Sequence, residues 1–522
     1  MQSANRSICR SSLNCPMTDA SVAAALRSTA SLVVIEAPGG CGKTYQGAQF
    51  AADAAADAES RILILTHTHA ACNVFSERTA VSQSKVEIRT LDSLIGLIAS
   101  AYHVPLDLPA DIGVWSRANE DGYNRVAMKV AHLLEKKPMI ASSLARRYPL
   151  VICDEHQDAT AVQDQIILAL HKAGARLRIF ADPMQRIFGG RSAPAIAAEI
   201  KRWTDLKDQA EVFEELDTPH RWANTNAPLG EWILTARATL RDGGQIDLRG
   251  ALPNGLHVIR ADNVARARGQ YQLTGQQRAP LTQRMQPLNS VLVMAAHNAT
   301  VASLRAFFNR SIPIWEGHTR DALDRLCDGV RVHSGNPSEI GKVAVDFVSS
   351  VAIGFTATGY SRQLLDDIAQ GCTKDRTKKP ATIQSLGRIL LDEPNHRGIG
   401  KFLTTLRALT KEDAAFAPIK IDHFREFNDA VHLGRFDDAD EGLAEIARRR
   451  AHARAPLPKK AVSTIHKAKG LEFPHVVLAA CDRPHFSNTK AARARLYVGM
   501  SRATESLTLL VSHTNPTPLF LI

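Results

Sequence analysis

The 522-residue sequence has no cysteine pair at C-x-x-C spacing and no compact Cys/His grouping. Its eight cysteines, at positions 9, 15, 41, 72, 153, 327, 372 and 481, are scattered. That scatter argues against a metal cluster and makes a reducing cytosol the simplest compartment. No apolar run approaches the ~18–20 residues needed to span a bilayer. Internal repeats and low-complexity tracts are missing too. Acid is in short supply: 53 Asp and Glu against 64 Lys and Arg leave a net charge of +11, which suggests a polyanionic partner. Hydrophobic content of 45% with 22% charged residues is that of a soluble globular chain. The length points to about two to four compact units.

The first sixteen residues, MQSANRSICRSSLNCP, carry two arginines and no acid. They suit a transit-like leader, an extension upstream of a start at Met17, or a disordered tail without function, the reading favoured here. Beyond them, apolar runs at LVVI, RILIL, PLVIC and RLRIFA each stop at polar residues, with helical stretches such as ATAVQDQIILALHKAG between them. That alternation predicts a parallel sheet covered by helices on both faces, which binds ligands at the carboxyl ends of its strands. A second set begins near residues 290–309 and resumes at 461–480 and 507–512. Between its parts, residues 316–454 are richer in charge and helical pattern. ARRRAHARAPLPKK (447–460) reads as a linker, a phosphate-facing edge or a solvated charged surface.

The first strand runs into APGGCGKT, residues 37–44. A glycine-rich turn between strand and helix exposes successive backbone N–H groups to phosphate oxygens. Ala37 stands where the usual pattern begins with Gly, followed by Pro38, Gly39, Gly40, Cys41 and Gly42. Lys43 would reach the β and γ phosphates, and the Thr44 hydroxyl would sit on Mg²⁺. Asp154 and Glu155 end the strand LVIC. Hydrolysis of ATP needs one carboxylate for Mg²⁺ and a group to activate water, so Asp154 is the expected metal partner and Glu155 the base.

The order of further segments resembles the superfamily 1 DNA helicases of the UvrD/Rep/PcrA type. Residues 37–44 are similar to motif I, THTHAACNVFSER (66–78) to motif Ia, VICDEHQD (151–158) to motif II, and ADPMQRIFGGRSA (181–193) to motif III. PHRW (219–222) stands where the family has an Asn-Tyr-Arg-Ser segment, TIHKAKGLEF (464–473) resembles motif V, and RLYVGMSRA (495–503) motif VI. The resemblance implies an α/β fold: two RecA-like P-loop NTPase domains with parallel sheets, plus mainly helical 1B-like and 2B-like insertions. Its boundaries would be a tail at 1–16, domain 1A at 17–95 and 146–225, insertion 1B at 96–145, domain 2A at 226–315 and 455–522, and insertion 2B at 316–454.

By the same resemblance, Gln185 links the γ-phosphate to the DNA-contacting segment, and His220 takes the place of a tyrosine that stacks on adenine. Arg221 and Arg502 reach the γ-phosphate from the two sides of the cleft, and Glu472 corresponds to a nucleotide-contacting acid. Thr66, His67, Phe188, Arg191, Thr464 and His466 fall where the family lines its single-strand channel. The implied activity is ATP-dependent, Mg²⁺-dependent 3′→5′ translocation on single-stranded DNA and unwinding of tailed duplexes. Repair, recombination or phage defence in a bacterial cytosol would be its setting, with the protein a monomer or weak oligomer. About twenty residues follow Arg502, so a nuclease, where one takes part, is expected on a separate subunit.

Further departures from the family pattern accompany Ala37 and His220. Residues 17–31 hold no glutamine to read adenine, Gly190 replaces a stacking tryptophan, and His67 replaces a phenylalanine. An alternative is therefore a nucleotide-switched DNA-binding ATPase that regulates a partner nuclease without processive unwinding. A P-loop kinase or metabolic NTPase is a third class, which the segments at 464–473 and 495–503 disfavour.

Overall fold

The computed structural model describes residues 17–57, 61–80, 84–189, 192–262, 273–315, 321–452 and 458–522. The expected tail at 1–16, Gly190, Arg191 and the middle of the basic segment lie outside the described residues. The chain forms two compact units, one of residues 1–300 with 464–522 and one of residues 301–463.

The first unit contains an all-parallel sheet of β1 (Leu32–Glu36), β2 (Ile62–Thr66), β3 (Val86–Thr90), β4 (Leu150–Cys153), β5 (Arg176–Ala181) and β6 (Val212–Glu215), in the order β3-β2-β4-β5-β1-β6. The apolar runs of β1, β2 and β4 are buried throughout, as expected of parallel strands covered on both faces. Alternation divides their side chains between two cores. Leu32, Val34, Leu63, Leu65, Val151 and Cys153 face one; Val33, Ile35, Ile62, Ile64, Leu150 and Ile152 face the other. Helices Leu91–Ala101, Gly122–Lys136 and Pro138–Arg147 lay Ile98, Val126, Val130 and Ala141 into the first core, so this helical stretch packs directly on the sheet.

A second parallel sheet in the same unit sets Val291–Ala295, Phe473–Cys481, Ala503–Val511 and Leu256–Arg260 side by side in that order. Helices Ala227–Arg241 and Lys490–Met500 accompany it. The second unit is mainly helical. Helices such as Pro337–Val351, Lys378–Asp392 and His396–Glu412 enclose Ile340, Val348, Leu386, Phe402 and Phe427. Its short strands Ala352–Ile353 and Lys420–Ile421 pair antiparallel. No helix among the described residues is long and apolar enough to cross a membrane.

Candidate nucleotide site

The phosphate loop begins inside the first sheet, where the Ala37 N–H donates to Ala181 O at 2.8 Å. It then turns through Gly40 and Gly42, both at positive φ, into the helix Lys43–Asp57. Gly40 has φ +90°, and a Cβ there would meet Trp222 Cζ3 at 2.6 Å. Only glycine satisfies both demands. Cys41 is buried, and burial with Asp182 pushes its thiol up to about 12. It stays protonated, which makes it a packing residue of the loop and no nucleophile.

Beside the loop, β4 ends in the acidic pair. Asp154 is almost wholly buried, its N–H donates to Leu65 O at 2.9 Å, and its side chain bonds the Thr44 hydroxyl. Burial raises its carboxyl to about 6, against the opposing pull of Lys43. Burial works the same way on Glu155, but the ion pair with Lys43 and the charge of Lys469 outweigh it and hold this carboxyl down at about 2. Glu155 sits at φ +54° in the left-handed region. Strain of this kind persists where surrounding contacts hold it. Gln157 supplies one such contact: its amide donates to Glu155, while its Oε1 accepts the Asp182 N–H at 3.0 Å.

Asp154 Oδ1 is buried without a hydrogen-bond partner, and among the described residues no group of three His, Cys, Asp or Glu side chains could hold a metal. One carboxylate and one hydroxyl with a spare oxygen suit a hard cation that arrives with phosphates and keeps much of its water, as Mg²⁺ does. Thr44 and Asp154 are the residues that could hold it.

The second sheet contributes from the other side. Arg502 is buried, and its guanidinium donates to Gln185 Oε1 at 3.3 Å, Val498 O at 3.0 Å and Ser501 Oγ at 2.7 Å. Burial and the neighbouring Arg221 bring its pKa down to about 10, so it stays charged at neutral pH. Arg221 pairs with Glu472 at 2.6 Å and donates to Ser501 O at 2.5 Å. His220 bonds Asp19 at 2.5 Å, and its ring covers Gly42, where a Cβ would meet it at 3.1 Å. Lys43, Thr44, Asp154, Glu155, Gln185, His220, Arg221, Glu472 and Arg502 thus converge on one loop.

The expected channel residues divide. Thr66 and Thr464 are buried; the Thr66 hydroxyl donates to Thr68 O at 3.1 Å, and Thr464 Oγ1 accepts the Lys467 N–H at 3.2 Å. His67 is largely buried beside His156 and Glu155, and burial with His156 lowers it to about 4. Phe188 is half exposed and meets the His466 ring edge-on at 5.8 Å, while His466 bonds Ile187 O at 3.1 Å. Arg191 lies outside the described residues.

Four contributors were not singled out from sequence. Asp182, Lys469 and Tyr497 lie inside the motif-like segments, where nothing in the sequence marks them individually. Arg237, in the helix Ala227–Arg241, carries no motif; its guanidinium meets Asp182 at 2.8 Å and Glu36 at 2.7 Å, all three buried.

Residues 114–199 match the UvrD/REP helicase N-terminal domain, and residues 460–510 match the UvrD-like helicase C-terminal domain. In these two stretches the chain is similar to the UvrD-like helicases. The phosphate loop at residues 37–44 lies outside both matched stretches, so its assignment rests on the structure. DNA helicase II of Salmonella typhimurium is 22% identical over 461 residues, covering 76% of this chain and 60% of that protein.

Proposed function

We propose that this UvrD-like chain is an ATP-dependent DNA helicase and translocase that moves 3′→5′ on single strands and unwinds tailed duplexes. The observation that carries the reading is the convergence, on one phosphate loop, of an acidic pair from the first sheet and the buried Arg502 from the second. Lys43 and the loop amides would bind phosphate, Glu155 would take the proton of the attacking water, and Arg502 with Arg221 would balance charge spreading over the γ-phosphate. Mg²⁺ held by Thr44 and Asp154 would neutralise the triphosphate. Gln185, which contacts Arg502 and Asp182, is suited to pass the state of the γ-phosphate toward Phe188 and His466. We infer a cytoplasmic setting in repair, recombination or phage defence, with a nuclease as a separate partner and the protein a monomer or weak oligomer.

ATP turnover with and without single-stranded DNA, beside Glu155→Gln, tests the reading. Stimulation by DNA that vanishes in the variant supports it, and turnover indifferent to DNA refutes it. A nucleotide-switched clamp governing a partner nuclease is the second reading, favoured by the burial of Thr66 and Thr464, which leaves Phe188 as an exposed stacking surface. DNA-stimulated turnover without strand displacement would select it.

A further inference from the structure

The geometry points to Tyr497 as a positioning residue that ties the phosphate loop to Arg502, so that loop occupancy sets the aim of that arginine; this rests on the proposed ATPase reading. The Tyr497 hydroxyl accepts the Gly39 N–H at 2.8 Å and donates to Asp182 Oδ2 at 3.2 Å. The same carboxylate oxygen accepts Gly39 N–H at 3.2 Å and Gln185 Nε2 at 3.0 Å. Gln185 in turn accepts from Arg502. Gly39, Tyr497, Asp182, Gln185 and Arg502 therefore form one continuous hydrogen-bonded path, without a side chain exposed along it.

Arg237 makes the path rigid. It donates Nε and Nη2 to Asp182 Oδ1 at 3.1 and 2.8 Å, compensating a carboxylate that is wholly buried beside an anion-binding loop. A paired buried charge is tolerated where a lone one is not. The helix bearing Arg237 is also fixed to the helix bearing Tyr497, because Arg493 donates to Gly243 O at 2.8 Å and Gly244 O at 2.6 Å just past its end. Burial and Asp182 keep the Tyr497 phenol protonated.

A phosphate approaching the loop brings negative charge toward Asp182 and competes with the phenol for the Gly39 N–H. Tyr497 lies in the last turn of the helix Lys490–Met500, and Arg502 is anchored to Val498 in that turn. Displacement of the phenol therefore moves the arginine's own support. A Cβ at residue 39 would meet Gln185 Nε2 at 2.8 Å and push that amide from its place on Asp182.

Tyr497→Phe keeps the ring and removes the link. Freed from the phenol, Gly39 N–H is more available to phosphate, so KM for ATP should stay equal or fall. Basal kcat should drop on the order of tenfold or more, as expected when a catalytic group loses its positioning. Leu496→Ala, a buried neighbour on the same helix, controls for general loosening. A basal kcat within about twofold of wild type, or a joint worsening of kcat and KM that Leu496→Ala reproduces at equal loss of thermal midpoint, overturns the inference. Wild-type turnover that ignores DNA overturns the motor reading while the basal kcat and KM split still decides this one. A wild type without basal turnover overturns both.

Discussion

Lys469 and Asp158 form an ion pair at 2.5 Å in which each side chain is only about a tenth exposed, and the same Nζ donates to Gln185 O at 2.9 Å. One ammonium thus joins the loop after β4, the loop after β5 and the segment preceding Phe473–Cys481. Burial raises the Asp158 carboxyl even though Lys469 pulls it down. Lys469→Met should therefore cost roughly 3–5 kcal/mol, because it strands a buried charge. Lys469→Met combined with Asp158→Leu should recover part of that loss. Denaturant unfolding of the two single variants and the double variant measures the coupling, and strict additivity would refute it.

Gly40→Ala tests the loop itself. A left-handed backbone at a non-glycine residue costs about 1–3 kcal/mol, and the added methyl would overlap Trp222. The variant should lose thermal stability and triphosphate affinity together. Wild-type binding of ATP by calorimetry would show that the turn tolerates a side chain.

His67 gives a pH signature. Its pKa falls from 6.5 to about 4 on folding, through burial first and His156 second. Between these values the unfolded chain binds the proton more readily, so this residue's contribution is complete above pH 6.5 and is lost as pH falls toward 4. Asp154, raised to about 6, has the opposite slope, so the difference between wild type and His67→Asn isolates the histidine. That difference should shrink from pH 7 to pH 5 in thermal melts. A constant difference would refute the assignment.

Phe188→Ala addresses the DNA grip. Stacking of a base on an aromatic ring contributes about 1–3 kcal/mol, and Phe188 is the half-exposed ring among the proposed contacts. Fluorescence anisotropy should record a loss of single-strand affinity of that size, with DNA-free ATP turnover unchanged. Unaltered affinity would leave the grip to backbone contacts.

The central strands were legible because they are buried on both faces: LVVIE, ILILT and LVIC read as apolar runs. The sheet's edges were not. β3, VEIRT, and β6, VFEE, are half covered and carry charge on their open sides, so neither hydrophobic run nor clean alternation marks them. The catalytic candidates stood out because phosphate chemistry restricts residue type and spacing near a strand end. Arg237 did not, since an arginine in an amphipathic helix looks like solvent-facing charge until Asp182 and Glu36, from two different strand ends, are seen to meet it. Tyr497 likewise read as an ordinary core ring, because its hydrogen bond to Gly39 spans 458 residues of sequence.

The guanidinium of Arg178, in the middle of β5, is wholly buried and closes off the helix Met17–Arg27 by donating to Leu26 O at 2.7 Å, Ser28 O at 2.8 Å and Ala30 O at 2.9 Å. These acceptors belong to a segment that precedes every element of the sheet. A truncated gene product starting after Ala30 would retain the whole phosphate loop yet leave an arginine sealed in the interior with its outer acceptors gone. The segment from the first helix to Ala30 should therefore be needed for the strand that delivers Asp182 to fold, and a chain trimmed to residue 31 should appear as aggregate on expression.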